Sequence, residues 1–270
     1  MINQLIHRQV EAIDARKHAQ TRLVTGQSDW TFASRLNSIF VTATEFGDAC
    51  RELPLVFIEA GKDEAGKRLI APIAVLGLVA EDNLFVEGSS WRGRYAPAVL
   101  RAYPFCTARL ENGRFAVCLD MSFSGISQTE GQPLFDEQGK PTELLERAQK
   151  QLEALETEVQ RTRLLCDKLL ELELLREMRF DATLPDGRKH TVDGFLTIDQ
   201  ERVTKLTEAQ VVELHRTGVL GLIHAHWISL GNMRTLLEQH MARHPAPAAV
   251  EAPAGSAGAA PAEAAVPASA

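Results

Sequence analysis

Cysteine is scarce in this chain of 270 residues: Cys50, Cys106, Cys118 and Cys166 are its four thiols, and none stands in a C-x-x-C pair. That density excludes a small secreted disulfide scaffold and supplies no zinc or redox-dithiol spacing, so reduced, mostly buried thiols are expected. Long apolar runs are missing as well. The longest, Leu69 to Ala80, is twelve residues and contains Pro72 and Gly77, against about 20 for a spanning helix. No membrane insertion is expected, and an integral permease is excluded. The first 20 residues carry His7, Arg8, Glu11, Asp14, Arg16, Lys17 and His18 instead of an apolar core and a cleavage site. That is unlike a signal peptide and places the protein in the cytoplasm. Positive charge is short too: 29 Lys and Arg face 36 Asp and Glu, a net charge of −7. No nucleic-acid partner is expected of such a surface.

What is present is a globular composition, 45% hydrophobic and 24% charged. Residues 53–60, 69–79, 83–87, 105–110 and 114–121 are short, rich in Val, Ile, Leu and Phe, and separated by Gly-bearing turns, which predicts strands of an antiparallel sheet. Asn112-Gly113 has the chemistry of a tight hairpin turn. Pro54 and Pro72 cannot donate ladder hydrogen bonds and are expected at a strand start, an edge or a bulge.

From Pro141-Thr142 onward, Leu145, Ala148, Leu152, Leu155, Val159, Thr162, Cys166 and Leu169 recur at three- and four-residue spacing. This predicts a long amphipathic helix with Thr142 as N-cap. Thr and Cys in the seam, and leucines on several faces from Leu164 to Leu175, favour packing within the chain over self-association through 142–177. Arg179–Leu184 and Lys189–Ile198 read as a hairpin about Pro185-Asp186-Gly187. Thr207 and Gln210 form a capping box, Gly218 suits the C′ position of that helix, and a further helix is expected from Val219 to Ala242. The last 26 residues, Pro245 to Ala270, hold thirteen alanines and five prolines, the composition of a flexible tail. The expected class is therefore α+β: an N-terminal antiparallel sheet, a long central helix, and a C-terminal hairpin with helices. A single domain is expected over residues 1–244 (1–140 sheet-rich, 141–178 long helix, 179–244 hairpin and helices), with a disordered tail over 245–270.

Gly61-Lys62-Asp63-Glu64-Ala65-Gly66-Lys67-Arg68 misses the phosphate-binding P-loop by its last residue, where Arg68 replaces Ser or Thr. A strand pattern rather than a helix follows it, so a solvated hairpin turn is expected. His224 and His226, two apart on a helix, point to different faces and cannot chelate one ion together, whereas an i, i+4 pair could. No metal and no cofactor is expected. The segment from Gly88 to Phe105 is richer. It holds both tyrosines of the chain, one of its three tryptophans, and Arg92, Arg94 and Arg101. Aromatic rings with polar handles beside guanidinium groups suit a pocket for an anionic or peptide-like ligand. Trp91, Arg94, Tyr95, Arg101 and Tyr103 are the candidate ligand or partner surface.

These residues also carry a family likeness. Pro54-Leu55-Val56-Phe57, Gly77, Asn83-Leu84-Phe85-Val86, then Trp91, Tyr95, Pro97, Arg101 and Tyr103-Pro104-Phe105 are followed by Leu134-Phe135-Asp136, Gly139, Pro141 and Thr142. Asp186-Gly187, Gly194-Phe195, Gly218, Leu220, Ser229-Leu230 and Asn232 complete the ordered set. In these positions, from about residue 5 to 242, the chain resembles the SapC family, bacterial proteins named for association with surface-layer protein genes. The resemblance implies an accessory role near envelope, surface-layer or nutrient-uptake systems and brings no reaction or cofactor with it. The Ala/Pro tail departs from the family pattern.

The favoured function is thus a non-catalytic binding or accessory protein whose partner is a protein, a peptide or a small anionic ligand. The alternative is an enzyme whose site joins the 91–105 segment to His224 or His226.

Overall fold

A computed structural model describes residues 2–24, 29–110, 114–183 and 189–245. The expected turns at Asn112-Gly113 and Pro185-Asp186-Gly187, and the Ala/Pro tail beyond Pro245, lie outside the described residues. The chain runs β1 (Val10–Ala12), β2 (Arg22–Leu23), β3 (Ser38–Phe40), α1 (Phe46–Ala49), β4 (Leu55–Lys62), β5 (Arg68–Val75), β6 (Val86–Glu87), β7 (Ser90–Trp91), α2 (Ala98–Arg101), β8 (Phe105–Arg109) and β9 (Phe115–Asp120). Then come β10 (Ile126–Ser127), β11 (Gln132–Pro133), α3 (Glu143–Glu171), β12 (Leu175–Thr183), β13 (Lys189–Ile198), α4 (Gln200–Thr204), α5 (Glu208–Arg216), α6 (Val219–Leu230) and α7 (Asn232–Arg243). The protein is of the α+β class, and every strand pairing is antiparallel.

The main sheet has five strands in the order β12-β13-β4-β5-β3; a second sheet is β1-β9-β8. Leu55, Val56 and Phe57 at the start of β4 are buried in succession, so this end of the strand is covered on both faces, as its unbroken apolar run requires. In β5 the alternation of Ile70, Pro72 and Ala74 inward shows the two-residue period of a strand with one wetter face. Pro54 immediately precedes β4, a strand start as expected. Pro72 lies inside β5, but where β3 has just ended at Phe40. Its carbonyl accepts from Val41 N–H at 3.2 Å on that side, so the missing donor faces no strand. The 83–87 segment is less regular than expected: only Val86–Glu87 forms a strand, pairing with Ser90–Trp91. The P-loop-like octapeptide is the β4–β5 turn, where Asp63 Oδ1 accepts from Ala65 and Lys67 N–H at 3.0 and 2.9 Å, and Lys67 Nζ pairs with Asp167 at 2.8 Å.

Helix α3 is 29 residues, about 43 Å at 1.5 Å per residue, and serves two cores. Leu145, Ala148 and Leu152 pack with Leu23, Phe105, Leu119 and Leu134, whereas Leu155, Cys166 and Leu169 join the larger core that includes Phe57, Leu196 and Ile223. Seven of the eight seam residues are buried within the chain; Val159 is half-buried. Thr142 stands at the N-cap with extended backbone, yet its hydroxyl donates to Pro133 O at 2.8 Å and caps nothing in the helix. The hydroxyl instead ties the start of the helix to β11. The capping box at Thr207 and Gln210 forms, and Gly218, with φ +79°, ends α5 as expected. The single helix expected over 219–242 is instead two, α6 and α7, broken at Gly231. There Asn232 Nδ2 donates across to Cys50 O at 2.8 Å.

Cys50, Cys106, Cys118 and Cys166 are all buried free thiols, and burial pushes the Cys166 thiol up to about 12. Because only an accessible thiolate reacts, 5,5′-dithiobis(2-nitrobenzoate) is expected to label none of them promptly in the native protein and all four in guanidinium. Prompt native labelling of any one would contradict this packing.

Candidate functional site

The Gly88–Phe105 segment is held from beneath by two carboxylates. Glu45 is 6% exposed. Its Oε2 accepts from Thr42 N–H at 2.7 Å and Thr42 Oγ1 at 2.9 Å, its Oε1 from the Tyr95 hydroxyl at 2.8 Å and Ala98 N–H at 2.7 Å. Glu52 accepts from the N–H groups of Arg94, at 2.9 Å, and Tyr95. Burial and the Glu45 charge push the Tyr95 hydroxyl far above its usual range, which keeps it a protonated donor. Trp91 donates from Nε1 to Tyr95 O at 3.0 Å and stacks on Phe85 with ring centres 5.5 Å apart, beside Trp30 at 5.2 Å. Arg101 lies over the Tyr95 ring at 5.6 Å. Tyr103 stacks on Phe32 at 3.9 Å, and burial with the neighbouring Asp120 pushes its hydroxyl up to about 12.

Trp91, Tyr95 and Tyr103 are half-buried, and Arg94 and Arg101 are exposed. The five do not converge on one cavity. Arg94 and Tyr95 line a depression of about 510 Å³ with Asp48, Arg51 and Glu52. Arg101 and Tyr103 line another of about 260 Å³ beside Phe123 and Arg147, and Tyr103 also borders a polar cleft of about 220 Å³ with Arg8 and Ser122.

The two histidines are separated. His224 is exposed, with Nδ1 at 2.8 Å from Leu220 O and its ring edge-on to Trp227. His226 is wholly buried. Its Nδ1 donates to Leu55 O at 2.8 Å, while Nε2 accepts from Ile198 N–H at 3.1 Å and lies 2.9 Å from Thr197 Oγ1. Neither bonds to the 91–105 segment.

A larger feature has no motif in the sequence. Between α1, α3, α5 and α6 lies an apolar groove of about 770 Å³, walled by Phe46, Leu164, Leu165, Val219, Leu222 and Ala225. Gly47, Gly218 and Gly221 open onto it, and a Cβ at any of them would meet nothing within 4 Å. Its edges carry paired charges, Arg161 with Glu158 at 2.7 Å and Lys168 with Glu213 at 2.8 Å. The three glycines were visible as letters, but only the helix packing puts them on one wall.

Among known proteins, the sequence model of the SapC family matches residues 13–236. The chain belongs to the SapC family. That match runs from just after β1 into the first turn of α7 and so includes the Glu45–Tyr95 anchor, the groove and the buried His226. No curated protein and no solved structure matches the chain. No helix among the described residues is long and apolar enough to cross a membrane.

Proposed function

We propose that this SapC chain is a non-catalytic binding or accessory protein of the cytoplasm that seats an apolar segment of a partner protein in the α1/α3/α5/α6 groove. The observation that carries it is the groove's construction. An apolar centre ringed by ion-paired charges is the anatomy of an interface, and bare glycines in a wall let an incoming backbone approach closely. Leu164 is 69% exposed at this groove, a large aliphatic side chain standing in water where a partner would cover it. An accessory role in envelope, surface-layer or nutrient-uptake systems rests on the family membership. The depression at Arg94 and Tyr95, with Arg51 beside it, is the second surface, suited to a small anion or an acidic peptide.

A photo-crosslinking phenylalanine at position 164, in the full chain in its native cells, is expected to capture one partner protein through an apolar peptide. Gly221 is exposed, helical and on the groove wall, and a Cβ there meets nothing within 4 Å, so Gly221→Phe adds a ring at the groove. It is expected to abolish the adduct, whereas Gly221→Ala retains it and gains up to about 1 kcal/mol of stability from helix propensity. Adducts that survive Gly221→Phe unchanged, or that map to polar surface, would overturn the groove as the binding site.

A further inference from the structure

We propose that Asp82, His240 and His244 form a binding site for a divalent transition-metal ion of the zinc class, fastening the end of α7 to the loop between β5 and β6. One ligand atom from each residue lies within 4.8 Å of the others. His240 lies in the last turn of α7 and His244 is its C-cap, and their ring centres are 4.6 Å apart. Asp82 arrives from the far side of the sequence. Its Oδ2 is 2.9 Å from His244 Nε2 and 3.8 Å from His240 Nδ1. Ligand atoms bonded tetrahedrally at about 2.0–2.1 Å stand roughly 3.3 Å apart. The observed spacings bracket that figure, and small side-chain rotations bring all three donors into range.

The surroundings orient the carboxylate. Arg243 Nη1 holds the other oxygen, Oδ1, at 3.1 Å, which leaves Oδ2 facing the two rings. The guanidinium is itself fixed, donating to Asn83 O at 2.7 Å, Leu84 O at 3.3 Å and Val86 O at 2.9 Å. A ligating carboxylate whose second oxygen is hydrogen-bonded is the usual outer arrangement of a metal site. With Arg243 offsetting the aspartate charge, two neutral imidazoles and one carboxylate oxygen form a mixed nitrogen and oxygen set that suits Zn²⁺ and disfavours Ca²⁺ or Mg²⁺. The side chains of Asp82 and His240 are 14% and 10% exposed, that of His244 45%. The site is therefore walled on two sides and open on the third, which gives an ion its entry path and a water its coordination position. Inspection of His224 and His226 could not find it, because the productive pair lies one helix later and its third ligand 158 residues earlier.

Untagged full-length protein stripped with EDTA and titrated calorimetrically with Zn²⁺ is expected to bind one equivalent, with a rise in Tm, and Co²⁺ is expected to give visible absorption bands of a low-coordinate nitrogen and oxygen site. His244→Ala, at an exposed position, is expected to keep its Tm in EDTA, weaken Zn²⁺ binding at least about tenfold and lose the Co²⁺ bands. His240→Gln is expected to do the same while preserving a buried polar group. His224→Ala, on exposed α6 surface, is expected to change nothing. Absence of stoichiometric binding, binding unaltered by both His244→Ala and His240→Gln, or equal weakening by His224→Ala would overturn the site.

Discussion

Replacing His226 with leucine is expected to destabilise the fold by roughly 3–5 kcal/mol, because the imidazole serves as a rung of the main sheet. Strands β13 and β4 pair at Leu196 and Phe57. Two residues further along the antiparallel pair, Ile198 and Leu55 would be the next partners. Instead, His226 from α6 stands between them, accepting from Ile198 N–H and donating to Leu55 O. Ser229, one turn on, accepts from Leu55 N–H at 3.0 Å. Leucine fills the space and leaves a buried N–H without its acceptor and a buried carbonyl without its imidazole donor, each costing about 1–3 kcal/mol.

A pH signature accompanies this. Burial pushes His226 down to about 4 from the free value of 6.5, against the opposing effect of its bond to Leu55. The unfolded chain therefore takes up this proton first as pH falls. The stability present above pH 6.5 is lost progressively between 6.5 and about 4, by a total near 3 kcal/mol. His7, also lowered chiefly by burial, adds to the same slope. Urea unfolding followed from pH 7 to 4.5 is expected to show a flatter slope for His226→Leu than for the natural chain. Parallel slopes would mean that His226 is not held neutral.

Glu45→Ala is expected to cost roughly 3–5 kcal/mol and to release the Trp91–Tyr103 segment. Four donors converge on this carboxylate: the N–H groups of Thr42 and Ala98 and the hydroxyls of Thr42 and Tyr95. Because Trp91 bonds to Tyr95 O, loosening Tyr95 also frees the indole. Trypsin is then expected to cut after Arg92, Arg94 or Arg101 well before global unfolding, and tryptophan emission to shift to longer wavelength. Glu45→Gln, which keeps one acceptor oxygen, is expected to fall between the two. A stable Glu45→Ala protein that resists trypsin would show that the stacked aromatics alone hold the segment.

Local chemistry made much of the fold legible. The capping box at Thr207 and Gln210, the positive-φ Gly218 and the acidic β4–β5 turn each involve partners within a few residues, so the letters carry the interaction. Periodicity located the start of α3 to within two residues, since its 3.6-residue repeat runs for 29 residues, but the helix expected to reach residue 178 ends at Glu171, and Leu175 already begins β12. The same reasoning missed the break at Gly231, beside which Asn232 bonds to Cys50, 182 residues away. It placed Thr142 at the cap position correctly but not its bond, which runs to Pro133 O, a partner brought near only by folding. Short segments such as 83–87 gave too few residues for the period to decide between strand and turn.

The candidate surfaces divide along the same line. The sequence by itself determined the α+β class, the long helix, the family, and the concentration of aromatic and arginine residues at 91–103, since each is a property of composition, spacing or order. Only the tertiary structure decided that Arg94, Tyr95, Arg101 and Tyr103 spread over three depressions while Trp91 lines none of them, that Glu45 anchors Tyr95, that three glycines open onto one apolar groove, and that Asp82 meets His240 and His244. The physical reason is range: a carboxylate beside a histidine in space leaves no trace in either residue's neighbourhood along the chain.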